Sequence, residues 1–200
     1  MLKSEVRIQY AKEEILRNLP KVDVDPDDLY IHLRGGDVFR IAPVQTYAQP
    51  PLCFYETIIN NTKFKNIYII AKDKRNSVFH PLIKKYPNII HQSNKLEHDI
   101  SLLTHAYNLA LSISSFSISS VKFNDNLKNL YEYDLIRLSE KFVFLHHDLY
   151  KYDIKYTIYS MKPSERYKSK MFNWIHSHRQ RNLMLEDNCT YGFTIIKPNV

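Results

Sequence analysis

A chain of 200 residues, 44 % of them hydrophobic, carries enough apolar material for one packed domain and is not a globally disordered polymer. The net charge of +7 is spread along the sequence without a basic block, so it implies attraction to anions more than a nucleic-acid stripe. No stretch reaches the roughly 18 apolar residues of a membrane span, and Met1-Leu2-Lys3-Ser4-Glu5 does not open a signal peptide, so the chain as written reads as soluble and cytoplasmic. Cys53 and Cys189 lie far apart and form no C-x-x-C motif, which supports neither a disulfide scaffold nor a zinc site.

In chain order, Ile8, Ala11, Ile15 and Leu19 share a helical stripe over residues 3–19, ended by Pro20. Residues 1–26 read as an opening helix and linker, and 27–200 as the organised domain. Leu29 to Leu33 reads as a buried strand that runs into Gly35-Gly36, two of the three glycines in the sequence. Pro50-Pro51 opens a helix from Leu52 to Asn60. Ile67 to Ala71 reads as a second strand, Ser77 to Lys85 as a helix stopped by Pro87, and Asn88 to His91 as a third strand. Lys95 to Asn108 reads as a helix, Leu109 to Ser114 as a fourth strand, Asp125 to Tyr133 as a helix, and Phe142 to Leu145 as a fifth strand. Tyr150 to Tyr159 suggests an extra strand or hairpin.

From Pro163 the spacing predicts one long helix to about Glu186, with Tyr167, Met171, Trp174, Ile175 and His178 on one face, a helical extension beginning near residue 160. Strands alternating with helices in this way predict an α/β domain with a doubly wound, mostly parallel sheet of Rossmann-like type, closed by that helix.

Two segments carry chemistry. At the end of the first strand, His32, Arg34 and Asp37 surround the glycine pair, on the rim where open α/β sheets bind ligands. Further on, Asp99 lies in the first turn of a helix that leads through a strand into Ser114-Ser115-Phe116-Ser117, where helix amides and hydroxyls form an uncharged cradle for phosphate. The plainer readings stay open: a turn-capping Arg34–Asp37 salt bridge, a polar serine loop from Ser112 to Ser120, and Asp99 as a charge complementing the helix dipole. Tyr47 and Gln49 read either as the lip of an acceptor site or as part of a rigid turn. His146-His147-Asp148 has metal-ligand residue types, but adjacent histidines on a strand point apart. His176 to Arg181 reads as a solvated basic helix face.

The His32-x-Arg34-x-x-Asp37 segment resembles the first motif of the α-1,2/α-1,6/O-fucosyltransferase superfamily. Asp99-x-x-Leu102-Leu103 followed by Ser114-Ser115-Phe116-Ser117 is similar to its second and third motifs, and Ile67 to Asp73 to its strand ending in an acidic residue. The resemblance covers roughly residues 29–120. Where the α-1,2 branch carries Trp-Trp-Gly-Ala-Trp, this chain has Ile118-Ser119-Ser120-Val121-Lys122, which marks a divergent branch.

The resemblance implies the C-terminal, nucleotide-sugar-binding half of a GT-B fold. It also implies an inverting, metal-independent transfer of fucose from GDP-fucose to a glycan hydroxyl, with no cofactor beyond the donor and no metal ligands. Arg34 would reach the diphosphate, and Gly35 and Gly36 would form the donor loop. Ser114, Ser115, Phe116 and Ser117 would hold the β-phosphate, and Asp99 the guanine or ribose. His32 and Asp37 would orient Arg34 or touch the donor. Asp37 and Glu56 are candidate bases by residue type alone. A missing N-terminal domain or partner chain would complete the enzyme, with a Golgi-luminal location if this is a piece of an anchored eukaryotic protein. The alternatives are a non-catalytic nucleotide-binding module, or a half-enzyme, and a basic nucleic-acid-binding α/β domain.

Overall fold

A computed structural model describes residues 12–135 and 155–198. Seven strands form one sheet: β1 (Leu29–His32), β2 (Ile67–Ile70), β3 (Ile89–Gln92), β4 (Asn108–Ala110), β5 (Asn129–Tyr133), β6 (Thr157–Met161) and β7 (Phe193–Ile196). Their order is β3-β2-β1-β4-β5-β6-β7, parallel throughout except for the antiparallel β6–β7 pair at one edge. The first six follow the order of a doubly wound nucleotide-binding sheet, whose direction of winding reverses between β1 and β4. Leu29, Ile31, Leu109 and Ala110 are fully buried, which is why these central strands read as unbroken apolar runs.

Among the described residues, besides the helical residues 12–18, the helices are α1 (Leu52–Asn61), α2 (Phe79–Lys85), α3 (Leu96–His105), α4 (Ser115–Lys122), α5 (Glu165–Met171) and α6 (His178–Glu186). Helix α1 packs against α2 and α6, and α3 packs against α4. Residues 12–18 are helical, and their end is tied to α3 by Ser101 Oγ, which donates to the Pro20 carbonyl at 2.6 Å. Among the described residues no helix is long and apolar enough to cross a membrane.

Two elements differ from the sequence reading, and one lies outside the described residues. The segment expected as a helix from Asp125 to Tyr133 contains strand β5, paired with both β4 and β6. Leu130, Tyr131 and Tyr133 are buried there, and sheet pairing outweighs the helical spacing of a short stretch. Asn124 stops the preceding helical path by donating to the Leu103 and Ala106 carbonyls. The expected strand Phe142 to Leu145 lies outside the described residues, as do His146, His147 and Asp148.

The long C-terminal helix is instead two short ones with a corner between them. Ser177 caps α6 in a reciprocal capping box with Gln180, His176 takes a left-handed backbone at φ 56°, and the Gln180 amide donates to the Lys170 and Asn173 carbonyls. Tyr167, Met171 and Trp174 are core residues as expected, but the corner turns Ile175 and His178 out to solvent.

Cys53, in the first turn of α1, forms a disulfide with Cys189, 136 residues away. Sequence spacing gave no sign of this bridge, because only the folding of the C-terminal segment onto α1 brings the two sulfurs together. Closing so long a loop restricts the unfolded chain strongly. Urea unfolding of a Cys53→Ser variant should therefore give a stability about 2–4 kcal/mol below wild type. An unchanged midpoint, with wild type indifferent to reductant, would show that the bridge does not staple the fold.

Candidate functional site

The site begins where β1 ends. Arg34 follows the last strand residues, and its backbone is held from two neighbouring strand ends. Its amide donates to Ser112 Oγ at 3.1 Å, beyond β4, and its carbonyl accepts from Asn76 Nδ2 at 3.0 Å, beyond β2. The Ser112 hydroxyl also lies 2.8 Å from His32 Nδ1. A hydroxyl has one proton and two lone pairs, so it takes the Arg34 amide and still pairs with Nδ1, the tautomer of His32 setting which of the two donates. Burial, helped by the Arg34 charge, pushes the His32 pKa down from 6.5 to about 3, so the ring is neutral at ordinary pH.

The glycine pair has a physical cause in Asp73. Its Oδ2 accepts the Gly36 amide at 2.9 Å and its Oδ1 the Arg75 amide at 2.9 Å. A Cβ on Gly35 would stand 2.2 Å from Asp73 Oδ1, and Gly36 has φ +60°. The chain therefore passes beneath a carboxylate where a side chain does not fit, then turns in a conformation that glycine adopts without strain.

The Arg34 side chain, 20 % exposed, is oriented by three groups. Nη1 donates to Ser114 Oγ at 3.0 Å, Nη2 donates to Asp37 at 3.0 and 3.1 Å, and the guanidinium lies 4.6 Å from the Tyr47 ring centre. Its Nε is buried without a partner. The Arg34–Asp37 pair of the plainer reading thus exists, but as part of a larger assembly. Ser114 is the N-cap of α4, and its hydroxyl, bonded to Arg34, does not cap the helix amides. The guanidinium and an uncapped helix N-terminus therefore share one residue, and both favour an anion.

The remaining expected residues divide. Phe116 packs its ring 5.5 Å from His32, and Ser115 is half-buried at the start of α4. Ser117 is fully buried, with its hydroxyl donated back to the Ser112 and Ser114 carbonyls, so it braces the turn with its side chain and offers only its amide. Gln49 is also fully buried, its side-chain amide donating to the Tyr47 and Ile113 carbonyls while the Tyr167 hydroxyl donates to its backbone carbonyl. It is a brace beneath the site and no acceptor lip; Tyr47 alone of that pair reaches Arg34.

Asp99 accepts from Asn94 Nδ2 at 3.2 Å, its pKa is raised by burial, and no recorded contact links it to the Arg34 cluster. Glu56 pairs with Lys85 at 2.8 Å, between α1 and α2. Among the described residues, Cys53, Asp187 and Cys189 group metal-ligand residue types, but sulfurs joined in a disulfide offer no thiolate.

Sequence reasoning did not single out Ser112 or Asn76. Both are small polar residues just past strand ends, and their role appears only when three strands are laid side by side.

Two outcomes follow. Gly35→Ala must displace Asp73, and its thermal unfolding should show a loss of about 1–3 kcal/mol, the usual range for overpacking; wild-type stability would contradict the contact. Because the folded-state pKa of His32 is depressed, the unfolded chain binds its proton first. His32 therefore makes stability fall as pH drops from 6.5 toward about 3. A His32→Asn variant should show a shallower loss across that window, read by unfolding at successive pH values, and an unaltered slope would refute the buried neutral ring.

Comparison with protein-family models, with curated proteins and with solved structures finds no match for this chain.

Proposed function

We propose that this chain is the nucleotide-sugar-binding part of an inverting, metal-independent glycosyltransferase of fucosyltransferase-like type. GDP-fucose is the donor and a glycan hydroxyl the acceptor. The observation that carries the reading is the Arg34 guanidinium, oriented by Tyr47, Ser114 and Asp37 beside the uncapped start of α4, at the strand ends where the sheet reverses. The three motif segments that resemble the fucosyltransferases supply the choice of sugar and nucleotide.

Glycosyl transfer breaks the anomeric C–O bond while negative charge grows on the leaving diphosphate. A forked, permanently charged guanidinium aimed at that diphosphate, with helix amides opposite, stabilises the transition state more than the ground state. In the free protein the Asp37 carboxylate stands where the phosphate would bind. Asp37 is 50 % exposed, so an incoming diphosphate displaces it into solvent without breaking the core. Once displaced, it is the carboxylate free to take the acceptor proton: Asp73 is locked onto Gly36 and Arg75, and Glu56 is occupied by Lys85. The Cys53–Cys189 bridge favours an oxidising compartment, in line with a luminal location.

Calorimetric titration of GDP in EDTA tests the reading. Wild type should bind saturably, and Arg34→Ala should weaken binding by at least about tenfold, the worth of a charge-assisted hydrogen bond. Arg34→Lys should not restore it, because a point charge does not grip two phosphate oxygens. Absence of GDP binding in wild type would overturn the reading; binding without turnover of GDP-fucose, with any acceptor, would favour a nucleotide-binding module.

A further inference from the structure

One 3-10 turn beyond Arg34, the chain forms the wall of a separate depression. That turn, Gly36–Phe39, leads into an open depression of about 690 Å3 lined by Phe39, Arg40, Ile41, Ile175, His176 and Arg181. At about 2 Å rise per residue the turn spans roughly 8 Å, so the cavity lies beside the Arg34 site and is separate from it.

Its two walls are fixed to each other. Trp174 Nε1 donates to the Val38 carbonyl at 2.8 Å, and its amide donates to the Gln45 carbonyl at 3.0 Å. His176 Nδ1 lies 3.3 Å from the Arg40 carbonyl, with its ring edge-on to Phe39 at 5.2 Å. These contacts hold His176 in its left-handed conformation, which a non-glycine residue adopts rarely.

The lining combines two chemistries. Ile41 is fully exposed and Ile175 is 53 % exposed, aliphatic surface left in water at the depression. Arg40 and Arg181 bring two guanidinium groups, and no carboxylate lines the cavity. Arg40 spends Nε on the Ala42 carbonyl, and the ion pairs recorded among the described residues involve neither arginine. An open depression that sets aliphatic surface beside two guanidinium groups offers apolar and anion-binding chemistry together.

We propose that this cavity is a second ligand site, for a small molecule with an apolar body and one anionic group, a carboxylate, sulfate or phosphate. The isoleucines take the apolar body and the guanidinium groups of Arg40 and Arg181 take the anion. The site is independent of the GDP reading, since neither arginine takes part in the Arg34 cluster.

The test titrates octyl phosphate and neutral octyl glucoside, both below aggregation, into the whole chain. Wild type should bind octyl phosphate saturably and octyl glucoside at least about tenfold more weakly, the difference expected for a charge-assisted contact. Arg181→Ala should weaken octyl phosphate by a similar factor of about ten. Ile175→Asp, an exposed change that spares the fold, should abolish binding, whereas Lys170→Ala, in the basic cleft between α5 and α6, should leave it intact. GDP titration of the same variants reports separately on the Arg34 site. Equal binding of the two detergents, undiminished binding by Arg181→Ala, or no saturable binding would overturn the proposal. Pelleting with phosphatidylglycerol vesicles without saturable octyl phosphate binding would also overturn it, in favour of a membrane-facing surface.

Discussion

One buried hydroxyl joins the two halves of the sheet at the point where they part. Ser112 accepts the Arg34 amide and pairs with His32 Nδ1, so it ties the ends of β1 and β4 across the reversal in winding. Burial, with the Arg34 charge beside it, keeps His32 neutral. From that tie the rest of the site follows. Arg34 is set in place, its carbonyl engages Asn76, its side chain reaches Ser114, and the following glycines pass under Asp73. Three strand ends converge on one residue whose charge remains one-fifth exposed.

That arrangement has an internal tension. A guanidinium packed against Tyr47 and bonded to Ser114 and Asp37 has lost part of its hydration, and its Nε is buried without compensation. A buried donor left unpaired opposes folding. Keeping one at the strand ends where the sheet reverses fits a group held for a ligand better than one held for stability. Asp37 quiets the charge in the free protein, and its exposure lets it yield to a stronger anion.

The central architecture was legible because its signals are local. Apolar runs such as Leu29 to Leu33 and Ile67 to Ala71, punctuated by glycine and proline, mark buried parallel strands, and the glycine pair marked the turn that Asp73 overhangs. The misread elements depend on distant partners. Asn129 to Tyr133 becomes a strand only because β4 and β6 flank it, and Cys53 meets Cys189 only after α6 packs on α1. The broken C-terminal helix did have a local signal, the Ser177-x-x-Gln180 capping box, which the apolar spacing of Tyr167 to His178 overrode. At the site, side-chain direction was not legible: Ser117 and Gln49 turn their polar groups into the scaffold, while Ser112 and Asn76, two unremarkable polar residues, hold Arg34.

The central claim is that Arg34 and the start of α4 together receive a diphosphate. A crystal structure grown with GDP in EDTA addresses it most directly. The account predicts the β-phosphate between the Arg34 guanidinium and the first-turn amides of α4, with Asp37 swung away from Nη2. GDP bound elsewhere, or a crevice in which Asp37 keeps Arg34 and no nucleotide enters, would contradict it.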